Sequence, residues 1–207
     1  MTRVLGIAAG SALILLFATL LIVVMPAVQL QSSRNVPEAL EPYSPAAERG
    51  REVYISMGCQ YCHSQQPRDP GLAPDGQRGW GRPSVPPDYA YDQPHLLGTM
   101  RTGPDLLNIG ARQPSVDWHL THLYNPRALI PDSTMPAFRF LFETTDVVLN
   151  QDREVNLPPD FRPEAGHVIA TQDAMDLVQY LLELDRTYET EAIPQASAEG
   201  ADAEKAP

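Results

Sequence analysis

From Val4 to Val28 the chain carries no charged residue, and Ser11 and Thr19 supply its only hydroxyl side chains. In lipid such a run must satisfy its backbone polar groups internally, which leaves a helix as its stable form. At about 1.5 Å rise per residue, some 20 apolar residues cross the roughly 30 Å hydrocarbon layer. The run therefore predicts a single transmembrane anchor over residues 1–30. A cleaved signal peptide with a site near Ala27 is the competing reading, but its apolar region usually runs only about 7 to 15 residues. Arg3 and the free amino terminus favour a cytoplasmic start. Everything from Gln31 onward then lies on the opposite side of the membrane.

Both cysteines of the protein fall within one pentad, Cys59-Gln60-Tyr61-Cys62-His63. This is the attachment signature of a c-type haem: two thiols that can add across the vinyl groups, and an imidazole close enough to take one axial position on the iron. A redox dithiol has no need of the trailing histidine. A structural zinc site would want a second cysteine pair, which the chain does not have. One pentad allows one covalently attached haem c. Covalent attachment in bacteria is expected on the periplasmic side of the inner membrane, which is also where the anchor's orientation puts the rest of the chain. With both thiols assigned to haem, no disulfide is inferred.

The net charge is −11, and the basic complement is fourteen arginines with Lys205 as the single lysine. That balance argues against a nucleic-acid partner, which would require a concentrated basic surface, and a charge-steered protein partner would be basic. Residues 189–207 are rich in Ala, Glu and Pro and have little to bury, so they read as an acidic disordered tail.

Residues 31–43, broken by Pro37 and Pro42, suit a linker, and the domain itself is expected over 44–188. Ser44 is a plausible N-cap and Pro45 suits the first turn, predicting a helix over Ala46 to Met57 that ends at Gly58 and delivers the pentad. A second helix is expected from Thr171 to Leu184, with an apolar stripe of Ala174, Leu177, Val178, Leu181 and Leu182. Gly50 would let the two helices approach closely, with Tyr54 and Tyr180 packing between them. An N-terminal helix crossing a C-terminal one, with the haem motif just after the first, resembles the class I cytochrome c fold. The fold class is therefore mainly α. From Gln65 to Leu97 there are seven prolines and no periodicity, a long loop of the sort that is usually functional or mobile. A short helix is expected over Val116 to Tyr124, capped by Ser115 and stopped at Asn125-Pro126. Phe140 to His167 reads as a connection with a short extended stretch around Thr145 to Leu149.

The group opposite His63 decides between electron transfer and ligand activation. Met135 stands in the irregular run Pro131 to Phe138, which can present a thioether without a helix constraining it. Met57 lies too close to the pentad, Met175 belongs to the C-terminal helix, and Met100 lies near a turn. The histidine alternatives are His95, His119 and His122, with His167 more remote. The three-residue spacing of His119 and His122 on one helix suits packing or hydrogen bonding. With His63 and Met135 as the iron ligands, a methionine-ligated haem has a raised potential and no open position for oxygen. Gly103-Pro104-Asp105-Leu106 resembles the class I segment in which the proline carbonyl accepts the free N–H of the proximal imidazole, although a plain turn would use the same residues. Arg101, Arg112 and Trp118 are candidate donors to the haem propionates.

The blocks Gly58 to Gln65, Arg101 to Leu106, Trp118-His119, His122-Leu123, Asn125-Pro126-Arg127 and Pro131 to Phe138, in this order behind one N-terminal anchor, resemble a particular family. It is the membrane-anchored mono-haem cytochrome c subunit, subunit II, of cbb3-type haem-copper oxidases. The resemblance implies a His/Met haem passing electrons toward a catalytic haem-copper subunit that reduces oxygen and pumps protons, beside a further cytochrome c subunit. It also implies Cys59 and Cys62 as thioether anchors and His63 and Met135 as axial ligands. Gln66-Pro67-Arg68-Asp69-Pro70 departs from the more apolar, methionine-containing stretch expected there. The mono-haem subunit of a nitric oxide reductase, a free-standing membrane-anchored shuttle, and a five-coordinate haem peroxidase or sensor are the alternatives.

Overall fold

The computed structural model describes residues 2–32, 36–98 and 100–190. The expected tail lies outside the described residues from 191 onward, as do residues 33–35 of the expected linker. The chain opens with helix α1 (Thr2–Thr19), a π turn over Leu20–Val24, and helix α2 (Met25–Ser32). Pro26 explains the π turn. It has no N–H to donate and its ring crowds the carbonyl four residues earlier, so the preceding turn widens. The Met25 amide reaches back to the Leu20 carbonyl accordingly. The stretch Thr2–Gln29 has a mean hydropathy of 2.7 and is long and apolar enough to cross a membrane.

The folded domain is built around helix α3 (Pro45–Ser56) and helix α6 (Gln172–Glu183). Ser44 caps α3 by accepting from the Ala47 amide at 3.2 Å, and the helix ends where Gly58 turns left-handed at φ 73°. Thr171 caps α6 in the same way, accepting from the Ala174 amide. The two helices cross at Gly50, where an added Cβ would lie 1.8 Å from the Asp176 carbonyl oxygen, so only glycine permits this approach. Tyr54 meets Tyr180 edge to face at 5.5 Å between centroids, a geometry worth about 0.5–1.5 kcal/mol beyond its buried area. The Ser44 amide also donates to Glu183 at 2.9 Å, fixing one helix start to the other's end.

Helix α4 (Ile109–Arg112) abuts the far end of α6 through Gly110, whose amide donates to the Leu184 carbonyl at 3.0 Å. Helix α5 (Val116–Tyr124) buries Leu120, Leu123 and Tyr124 in the common core. Strand β1 (Phe142–Thr145) pairs antiparallel with strand β2 (His167–Ala170), Phe142 opposite Ala170, and Glu154 adds an isolated bridge to Ile169. The extended stretch expected over Thr145 to Leu149 is thus displaced toward the N-terminus. Val147, Val148 and Leu149 are exposed in the loop beyond β1, and β2 was not expected.

The proline-rich segment 65–97 has one short 3₁₀ turn, Pro86–Tyr89, and is organised by buried carboxylates. Asp75, Asp88 and Asp92 are all buried. They pair with Arg101 at 2.5 Å, Arg82 at 2.7 Å and Arg51 at 3.3 Å. Backbone amides use the same acceptors: Arg68 donates to Asp75 at 2.7 Å and Val85 to Asp88 at 2.8 Å. With so few amides able to form a ladder, side-chain acceptors take over the role of regular structure.

Candidate haem site

The pentad occupies a single tight turn directly after α3. Cys59–Tyr61 form a 3₁₀ turn, and the amides of Cys62 and His63 both donate to the Cys59 carbonyl, at 3.1 and 3.0 Å. Both thiols and the imidazole therefore issue from one short stretch of backbone. Cys59 is half-buried and Cys62 exposed, with no bond between them. Burial pushes the Cys59 thiol up to about 11.

Three features fix His63. Its Nδ1 lies 2.8 Å from the Pro104 carbonyl oxygen. A carbonyl can only accept, so Nδ1 carries the proton and the Nε2 lone pair is left for a metal. Gly103 forms the floor beside the ring, where an added Cβ would lie 2.2 Å from Cε1. The Gly103 amide donates to the Cys62 carbonyl at 2.9 Å, joining the two segments through their backbones. Burial lowers the pKa of His63, opposed by the Pro104 contact and by Asp105, while Arg112 lowers it further. The ring is neutral at neutral pH, as a ligand must be.

Behind this contact lies Asp105, fully buried. It accepts from the Ser64 hydroxyl at 2.6 Å and from the amides of Gln66 at 2.7 Å and Leu107 at 2.9 Å. Arg101, expected as a propionate donor, is directed at the protein instead. Its Nε donates to Ser64 Oγ at 3.1 Å, one terminal nitrogen to both oxygens of Asp75, and the other to the Gln66 carbonyl at 2.6 Å. It ties the start of the proline-rich segment to the residues just after His63. Sequence reasoning missed Asp75 as its partner, because nothing in a proline-rich run marks which of its acids is buried.

Arg112 donates one terminal nitrogen to the Asp105 carbonyl, while its Nε is buried without a hydrogen-bond partner. Trp118 lies on α5 with its ring stacked on that of His122, 4.7 Å between centroids and 9° from parallel. Among the described residues the buried side-chain atoms without a partner are Tyr54 Oη, Gln60 Oε1, Arg112 Nε and His122 Nδ1. Gln60 belongs to the pentad, Arg112 and His122 act electrostatically on or with His63, and Tyr54 feels Cys59. Unpaired buried polar atoms are costly and rare, and one of the four, Gln60 Oε1, belongs to the pentad itself. Arg112 Nε is a donor that suits a haem carboxylate, whereas Gln60 Oε1 only accepts and is not served by one; with two thiols and the free Nε2 of His63 on one turn, the residues present fit a haem.

Met135 is half-buried and packs against the core with Phe138. Its amide donates to Ser133 Oγ at 3.3 Å. Arg127 donates through one terminal nitrogen to the carbonyls of Ser133 at 3.0 Å and Met135 at 3.2 Å. The Phe138 amide donates to the Leu123 carbonyl at 2.9 Å, tying the segment to α5. Arg127 is thus a positioning residue the motif contained without revealing its task. Of the other methionines, Met100 is 57% exposed and Met175 packs on α6 against the core. His119 is buried and directed to the Gln113 carbonyl at 2.8 Å, and His95 meets Tyr89 edge to face.

A helix long and apolar enough to span a membrane, a mainly helical domain and one haem-attachment pentad are consistent with one class of protein, the membrane-anchored cytochromes that carry a single c-type haem. The family model described as Cytochrome C oxidase, mono-heme subunit/FixO matches residues 2–200, and the chain belongs to this family, the subunit II of cbb3-type oxidases. No curated protein matches it.

Proposed function

We propose that this chain is a one-electron relay that delivers electrons to the catalytic subunit of a cbb3-type terminal oxidase. The observation that carries the reading is the pairing of His63 Nδ1 with Pro104 O at 2.8 Å, which leaves the lone pair of the opposite nitrogen free for a metal. Cys59 and Cys62 would hold a haem covalently, His63 and Met135 would be the residues that ligate its iron, and the buried Nε of Arg112 would donate to a propionate. When bound, a haem with these ligands exchanges one electron between ferric and ferrous iron and offers oxygen no open position. The chain's part is to keep His63 neutral and oriented, to keep Met135 in place, and to exclude water from the ring. Burial of the imidazole and of Asp105 behind it serves the last of these.

Membership of an oxidase-subunit family supports oxygen rather than nitric oxide as the terminal substrate. The partners in this reading are the catalytic haem-copper subunit and a further cytochrome c subunit. The anchor holds the domain on the periplasmic face of a bacterial inner membrane. The test is purification in mild detergent with native partners, followed by oxygen-driven turnover. The reading expects a haem-copper catalytic subunit to co-purify and turnover to fail in a Cys59→Ala/Cys62→Ala complex that assembles normally. Undiminished turnover, or rapid carbon monoxide binding at this subunit's reduced haem, would end it.

A further inference from the structure

His122 has no part in the assignments above, yet its Nδ1 is buried and unpaired. Its ring cannot turn freely to find a partner, because Trp118 covers one face in a near-parallel stack. His119, one turn earlier on α5, is directed to the Gln113 carbonyl and does not reach it. The next residue, Leu123, lends its carbonyl to Phe138, which anchors the Met135 segment. His122 therefore lies on a helix bonded to the Met135 segment, and the charge of His63 on the attachment side contributes to lowering its pKa.

We propose that His122 is a positioning residue for the haem, its Nδ1–H donating a hydrogen bond to a haem carboxylate with Trp118 holding the ring in that orientation. The inference rests on the relay reading. Of the groups on a haem's rim only the carboxylates accept hydrogen bonds, so a buried donor that meets the rim has that partner alone. Burial, with His119 and His63 beside it, lowers His122 to about 4, so the ring is neutral at neutral pH and donates through one nitrogen only. Arg112 Nε is the second such donor, charged where His122 is neutral. Together they would withdraw negative charge from the rim. Carboxylate charge favours ferric iron, so each donor raises the reduction potential.

The test uses the full-length chain in detergent and reads covalent haem content, the low-spin spectrum and the midpoint potential. Phenylalanine at the position keeps the stack on Trp118 but cannot donate. Asparagine places an amide N–H near the position of Nδ1, whereas glutamine reaches toward that of Nε2. His122→Phe should retain covalent low-spin haem with a lowered midpoint potential, His122→Asn should restore most of the shift, and His122→Gln should not. A midpoint unchanged in His122→Phe, or equal recovery in the Asn and Gln variants, overturns the inference. A high-spin spectrum in His122→Phe overturns it too, since it would make His122 an axial ligand. Wild-type protein lacking covalent haem would instead sink the relay reading itself.

Discussion

The two sides of the site are built differently. The attachment side is a joint of two backbone segments: the pentad turn and Gly103-Pro104 share hydrogen bonds, a glycine floor and a buried layer of Ser64, Asp105, Arg101 and Asp75. The methionine side is one irregular segment, braced by Arg127, by Ser133 and by a single backbone bond to α5. A ligand fixed by its own backbone and by buried charge keeps its geometry whatever the iron does. One held by fewer contacts, as Met135 is, would depend more on its bond to a metal.

This contrast orders the expected effects of mutation. His63→Ala should be the most severe, abolishing ligation on the prebuilt side and impairing maturation, which haem staining of membranes would register. Asp75→Asn comes next: it takes from the half-buried Arg101 guanidinium its nearer counter-ion and leaves Asp105 at 3.9 Å, so the loss should fall at or below the low end of the roughly 3–5 kcal/mol that breaking a buried pair costs. Denaturant unfolding measures it. The same substitution has a pH signature. Burial alone would raise the Asp75 pKa, but hydrogen bonds from Arg101 and the Arg68 amide outweigh it and hold the carboxyl below its usual value. A folded pKa below the unfolded value of about 3.9 gives stability that is complete above that value and lost as pH falls through the folded pKa. Asp75→Asn should therefore flatten the acid limb of the stability profile while lowering the plateau.

On the other side, Met135→His should keep a low-spin haem at a lower potential. An unchanged midpoint would refute the axial assignment. Arg127→Ala should have the smallest effect, about 1 kcal/mol of local stability, seen as faster carbon monoxide binding to the reduced protein with global unfolding barely moved. Comparable global losses in Arg127→Ala and Asp75→Asn would erase the distinction between the two sides.

What the sequence showed and hid follows the same division. The pentad, the caps at Ser44 and Ser115, and the Gly50 crossing were legible because each is local chemistry written in adjacent residues or a helical period. The Asp75–Arg101 and Arg82–Asp88 pairs were not, because a proline-rich run has no period to show which acids turn inward. The exposed apolar residues Val147 to Leu149 drew the expected strand away from Phe142–Thr145, since apolarity there reports something other than burial. The use of Arg101 for internal pairing was equally invisible: a guanidinium forks onto an aspartate as readily as onto a propionate.

The crossing of α3 and α6 at Gly50 has a consequence for how the protein is made. The helix that delivers the pentad comes early in the chain, and its partner is the last helix of the described residues. During synthesis the two thiols and the imidazole are present long before the helix that packs against α3 exists. Contacts so distant in sequence form slowly. A thioether formed on that unfinished chain would keep the cofactor in place until the closing helix arrives, which a merely packed ligand could not do.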